Sequence, residues 1–141
     1  EFIDAYFEGF PAVRTYIDTV LQKARETGVV TTMFGRRRLV PELTSRNGQI
    51  RAAAERVAVN MPIQGTAADI LKRAMIDIHG TLPAGARMIL TVHDELLFEV
   101  QEIGAQETAE FARQRMEQVA VLDVPLTVDV GIGQNWKDAK S

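Results

Sequence analysis

Residues 88–100 read MILTVHDELLFEV, two apolar runs meeting at three consecutive ionisable residues, His93, Asp94 and Glu95. The pattern predicts a tight β-hairpin that lifts its carboxylates off the strands at the turn. Ile89, Leu90, Val92, Leu97 and Val100 are the residues expected to be buried beneath them as an anchor. Hard oxygen ligands on a rigid base suit Mg²⁺ and phosphoryl chemistry. A solvated turn whose acids do nothing is the alternative, and the hairpin alone leaves both readings open.

The rest of the chain is mostly helical in pattern. Residues 2–10 form a short helical segment ending at Gly9, and residues 11–26 place Val13, Ile17, Val20, Leu21 and Ala24 on one side. Pro11 suits a first helical turn and Thr27-Gly28 supplies a stop. Val29 to Thr32 is β-branched, and Phe34-Gly35 turns the chain into residues 36–40, a short hairpin carrying Arg36, Arg37 and Arg38. Pro41 closes it, and residues 45–48 form a polar loop. A long helical run follows from Gln49, interrupted by Pro62 and Gly65. Proline removes a backbone donor and clashes with the preceding turn, so a kink or break is expected between Asn60 and Thr66. Thr66 with Asp69 then resembles a capping box, and Ile70, Leu71, Ala74, Met75 and Ile78 trace a buried face. After the residue 88–100 hairpin come a second amphipathic helix over about 105–119 and a last strand over 126–130. In that helix Ala109, Ala112, Met116 and Val119 face inward. The fold class is α+β: three or four short strands in a small antiparallel sheet, with helices packed on one face.

With 141 residues the chain is long enough to bury a core, and 46% hydrophobic with 25% charged residues is ordinary for a globular chain. The absence of cysteine excludes disulfides and thiolate metal sites, and a reducing compartment is natural for it. No apolar run approaches the ~18 residues of a membrane helix, and the opening residues lack the pattern of a secretion signal. A soluble intracellular chain with no membrane partner is expected. The net charge of −3 hides an uneven distribution. Between positions 36 and 56 six arginines face two acids, so that segment carries +4 and the remainder −7. All six being arginine favours bidentate phosphate contacts over a merely solvated surface.

Arg56, Asn60 and Gln64 stand at i, i+4 and i+8, one polar stripe on a helix. These side chains suit base edges and phosphates, although such stripes also occur on ordinary helix surfaces. His79 beside Gly80 reads as a favourable charge at a helix carbonyl end. Met75, Met88 and Met116 read as core filler and Trp136 as a packing anchor. The glycines of GIGQ lack the strand and helix context of a phosphate loop.

Together these residues resemble a known family. VHDELLFEV is similar to the third sequence motif of family A DNA polymerases, the bacterial DNA polymerase I type, and RAAAERVAVNMPIQGTAADILKRAM resembles that family's helix beside the primer terminus. TTMFGRRRLVPEL and DVPLTVDVGIGQNW also match, in the expected order, so the resemblance runs from about Tyr6 to Trp136. It implies that Asp94 is a palm-domain metal ligand, one of two aspartates holding the Mg²⁺ pair of a two-metal phosphoryl transfer. Glu95 would be an adjacent supporting carboxylate and His93 a contact to the primer end. Arg56, Asn60 and Gln64 would approach the minor-groove side of the terminal base pairs, where acceptors occupy similar positions in every correct pair. Arg36, Arg37 and Arg38 would approach backbone phosphates. The implied partners are primer–template DNA and deoxynucleoside triphosphates, and the implied location is the bacterial cytoplasm at the nucleoid.

Two parts of the family's machinery have no counterpart in these residues: a motif of the DYSQIELR type with the other metal aspartate, and the nucleotide-binding helix. The expectation is therefore a C-terminal piece of a polymerase, with fingers and palm helices and the arginine hairpin over about 1–60, and the palm with its acidic hairpin over 61–141. Such a piece is expected to be inactive alone. It is also expected to leave an unpaired apolar edge or face around Met88 to Val92, open to self-association. Two alternatives remain: a non-catalytic primer–template-binding module, and a metal-dependent nuclease using His93, Asp94 and Glu95.

Overall fold

A computed structural model describes residues 2–140 of the chain. It is α+β, mostly helical with two small antiparallel sheets. Two compact units divide it, one up to Asp69 and the other from Ile70 onward.

The first unit opens with α1 (Phe2–Gly9) and α2 (Pro11–Thr27). Pro11 starts α2, where its missing N–H is no loss. Gly28 ends it in the left-handed region at φ 71°, donating its N–H to Ala24 O at 2.8 Å. The expected inward face of α2 is the one shielded from solvent, with Tyr16 added to it. Strands β1 (Val29–Thr31) and β2 (Arg37–Leu39) pair Val29 with Leu39, Val30 with Arg38 and Thr31 with Arg37. A 3₁₀ turn at Pro41–Thr44 leads into α3 (Gly48–Thr81), whose first N–H groups, from Gln49 and Ile50, donate to Asn47 Oδ1. The core joins Ala24 of α2, Val30, Val40, Leu43, and Ala54, Ala58 and Met61 of α3. Alanine at three of these contacts allows the elements to approach closely.

α3 corrects the expected break. Its 34 residues run continuously with Pro62 inside. An interior proline costs about 3 kcal/mol and leaves the carbonyl four residues back, here that of Ala58, without its helical donor, and tertiary contacts hold the neighbouring residues. Tyr16 Oη donates to Val59 O at 3.1 Å, and Met61 is buried in the core. Thr66 lies in mid-helix rather than at a cap. Its hydroxyl donates to Pro62 O at 2.5 Å and accepts the N–H of Met33 at 2.9 Å. The capping-box reading of Thr66 and Asp69 therefore fails, because tertiary contacts claim both side chains.

In the second unit the last turns of α3 bury Ala74 and Ile78, with Ile70, Leu71 and Met75 half-buried beside them. A turn closed by Ala86 N–H on Pro83 O leads to β3 (Arg87–Val92) and β4 (Glu95–Glu99). Next come a 3₁₀ turn at Glu102–Gly104, α4 (Ala105–Gln118) and, near the end, α5 (Trp136–Ala139). The strands form two separate two-stranded sheets, not one. The expected strand at 126–130 does not form. Among the described residues no strand ladder receives it, and Val128 N–H instead donates to Glu117 Oε1 of α4 at 3.1 Å. No helix among the described residues is long and apolar enough to cross a membrane.

Candidate metal-binding turn and nucleic-acid face

The acidic turn lies wholly in the second unit. β3 and β4 pair from Arg87–Glu99 to Val92–Glu95, leaving His93 and Asp94 as a two-residue loop. Hairpin loops this short need a left-handed φ to match the strand twist. Here His93 supplies it at φ 54°, the one non-glycine residue with positive φ among those described. A side chain in that region costs roughly 1–2 kcal/mol, and such strain concentrates at functional sites.

The register slips by one residue at Ile89, so Met88 faces Phe98 while Leu90 faces Leu97. Met88 and Leu90 therefore stand on opposite faces, and the anchor differs from the expected one. Val92, Leu97 and Val100 are half-buried, whereas Ile89 and Leu90 are 52% and 42% exposed. The bulge is the physical reason, because it breaks the alternation from which their burial was read. β3 also carries no further strand among the described residues.

His93, Asp94 and Glu95 are all exposed. Asp94 has no hydrogen-bond or ion-pair partner among the described residues. Glu95 Oε1 lies 3.8 Å from Lys140 Nζ, a contact no sequence pattern announced. Two exposed carboxylates on adjacent residues, one of them already facing a cation, have the donor chemistry of a hard divalent metal site. Among the described residues no group of three His, Cys, Asp or Glu comes together. Asp94 and Glu95 could therefore contribute ligands but not a full set.

The first unit holds the remaining candidates. Arg56, Asn60 and Gln64 are exposed along one side of the unbroken α3, and none has a partner among the described residues. The arginine hairpin docks on the same helix at Gly65, Thr66 and Asp69. Arg36 Nε donates to Asp69 Oδ1 at 2.7 Å and its Nη2 to Gly65 O at 2.9 Å, while Asp69 is buried. A Cβ at Gly65 would stand 2.7 Å from Thr32 Cγ2, so glycine is required by close approach rather than as a helix stop. At about 100° per residue, this docking side is nearly opposite the stripe. Arg36 thus helps hold the hairpin on α3 while remaining exposed, and Arg37 and Arg38 are exposed and without partners among the described residues. An isolated glycine in a helical run is a signal for close approach; nothing in the sequence marked Asp69 as the partner of Arg36.

The model of DNA polymerase family A matches residues 1–138. The chain belongs to DNA polymerase family A. It is 51% identical over 99% of its length to the thermostable DNA polymerase I of Thermus aquaticus, of which it covers 17%. It is 52% identical over 99% of its length to DNA polymerase I of Deinococcus radiodurans, covering 15%. Its fold matches the polymerase domain of Pol1 from M. smegmatis, solved in complex with DNA primer–template and dNTP, at a TM-score of 0.90 and 47% identity, over 99% of this chain and 25% of that one. The chain therefore spans about a sixth of the length of these two DNA polymerase I relatives.

Proposed function

We propose that these residues are part of a template-directed DNA polymerase that extends a primer 3′ end with deoxynucleotides. The observation that carries the reading is the acidic turn, with partner-free Asp94 beside strained His93 on a two-residue hairpin loop, in a chain belonging to family A. Asp94 is the metal-ligating and catalytic carboxylate, supported by Glu95. The Mg²⁺ pair they would help hold supplies activation of the primer 3′-hydroxyl and stabilisation of the leaving pyrophosphate. His93 contacts the primer end. Arg56, Asn60 and Gln64 line the minor-groove side of the terminal pairs, sensing pair geometry rather than sequence. Arg37 and Arg38 approach backbone phosphates, and Arg36 sets the hairpin that carries them.

The DNA and nucleotide partners are supported by the Pol1 relative, whose structure holds both; the relatives' sources support a bacterial setting, which we place in the cytoplasm at the nucleoid. A second reading is favoured by the incomplete ligand set: on its own, the chain binds primer–template through its arginines and stripe without turning it over. The test is primer extension with dNTPs and Mg²⁺, comparing the isolated chain with a complete polymerase domain ending in these residues. We expect extension from the complete domain only, and duplex binding by the isolated chain that weakens steeply with salt. Extension by the isolated chain would overturn the division of the site; an assembled but inactive complete domain would leave the binding module as the better description.

A further inference from the structure

Residues 131–140 fold back on themselves. Asn135 Oδ1 accepts the N–H of Asp138 at 3.1 Å and Nδ2 donates to Asp138 Oδ2 at 2.5 Å, which fixes the start of α5. A Cβ at Gly131 or Gly133 would collide with the backbone of Asp138 and Ala139, so only glycine lets this segment lie directly against the helix. The fold-back carries Lys140 to two partners in the second unit. Its Nζ lies 5.5 Å from the centroid of the Trp136 ring and 3.8 Å from Glu95 Oε1. The ring steadies an ammonium whose flexible stem would otherwise wander. The separation from Glu95 is within ion-pair range but beyond a hydrogen bond of about 2.7–3.2 Å. Glu95 is therefore steered by a charge and not tied to it.

We propose that the Lys140 ammonium competes with a divalent cation for the Glu95 carboxylate and yields when one binds. The inference rests on reading the turn as metal-binding, and it adds a resident competitor to it. Both side chains are about half exposed, so the competition is modest and strongest at low salt.

Mn²⁺ is a suitable probe, titrated into a complete polymerase domain holding primer–template, with free ion counted by electron paramagnetic resonance. Removing the ammonium with Lys140→Met is expected to tighten Mn²⁺ binding about two- to fivefold, and Lys140→Arg is expected to restore the original affinity. In a Glu95→Gln background Lys140→Met should have no further effect. An unchanged or weaker affinity in Lys140→Met would overturn the proposal, as would an equal gain in the Glu95→Gln background. Asp94→Ala separates this from the reading beneath it. If Asp94→Ala abolishes high-affinity Mn²⁺ binding while Lys140→Met does nothing, only the role of Lys140 fails; if Asp94→Ala leaves binding intact, both fail.

Discussion

At His93 the backbone adopts a conformation that glycine would occupy at no steric cost, yet a bulky titratable side chain stands there. If the strain serves the site, stability and activity should separate on substitution. His93→Gly is expected to leave unfolding free energy unchanged or raised by up to about 1 kcal/mol, relief of strain being partly offset by the freer unfolded chain. The same substitution should lower kcat/KM for primer extension by about tenfold or more in a complete polymerase domain. Urea unfolding and steady-state kinetics on one preparation check both, and unchanged kinetics would remove His93 from the site. Arg36 shows what residue type alone does not reveal. Three consecutive arginines look alike in sequence, and only the docking of the loop on Gly65 and Asp69 separates the buttress from its two free neighbours.

Helix α3 is the element on which the first unit's candidate residues depend. Its amphipathic spacing was readable from Gln49 to Ile78, and so were the cap glycine of α2, both hairpins and α4, because each follows from local pattern and turn chemistry. What was not readable came from tertiary partners. Pro62 predicts a break by local rules, while contacts distant in sequence, Tyr16 on Val59 O and Met33 on Thr66, hold α3 on either side of it. Residues 126–130 alternate like a strand but have no ladder to join. The bulge at Ile89 likewise depends on the pairing of β3 with β4. Tyr16→Phe tests the support directly, and loss of the bond to Val59 O should cost about 1 kcal/mol. Burial also raises the Tyr16 phenol above its usual 10.0. The folded state therefore keeps this proton longer than the unfolded one. The associated stability is complete below about pH 10 and lost as pH rises through the raised value. Thermal unfolding across alkaline pH should show that loss in the parent and not in Tyr16→Phe; identical profiles would contradict the role of the hydroxyl.

For the whole molecule, the ligand set and the sheet point the same way: each is partial. The described residues bring no third metal-type ligand to Asp94 and Glu95, and β3 offers an edge with Ile89 and Leu90 exposed. An apolar edge of this kind pairs with another chain unless covered, and for the isolated chain we propose a second copy. Sedimentation should show concentration-dependent dimers that Ile89→Lys weakens, and a monomer at every concentration would contradict this. The proposed polymerase reading stands or falls with the acidic turn. Mg²⁺-dependent primer extension, measured in a complete polymerase domain with Asp94 and with Asp94→Ala, tests it most directly. Extension is expected with aspartate, and a loss of about a thousandfold or more with alanine, as when a group acting in the transition state is removed. Equal extension by both proteins would contradict it and remove Asp94 from the mechanism.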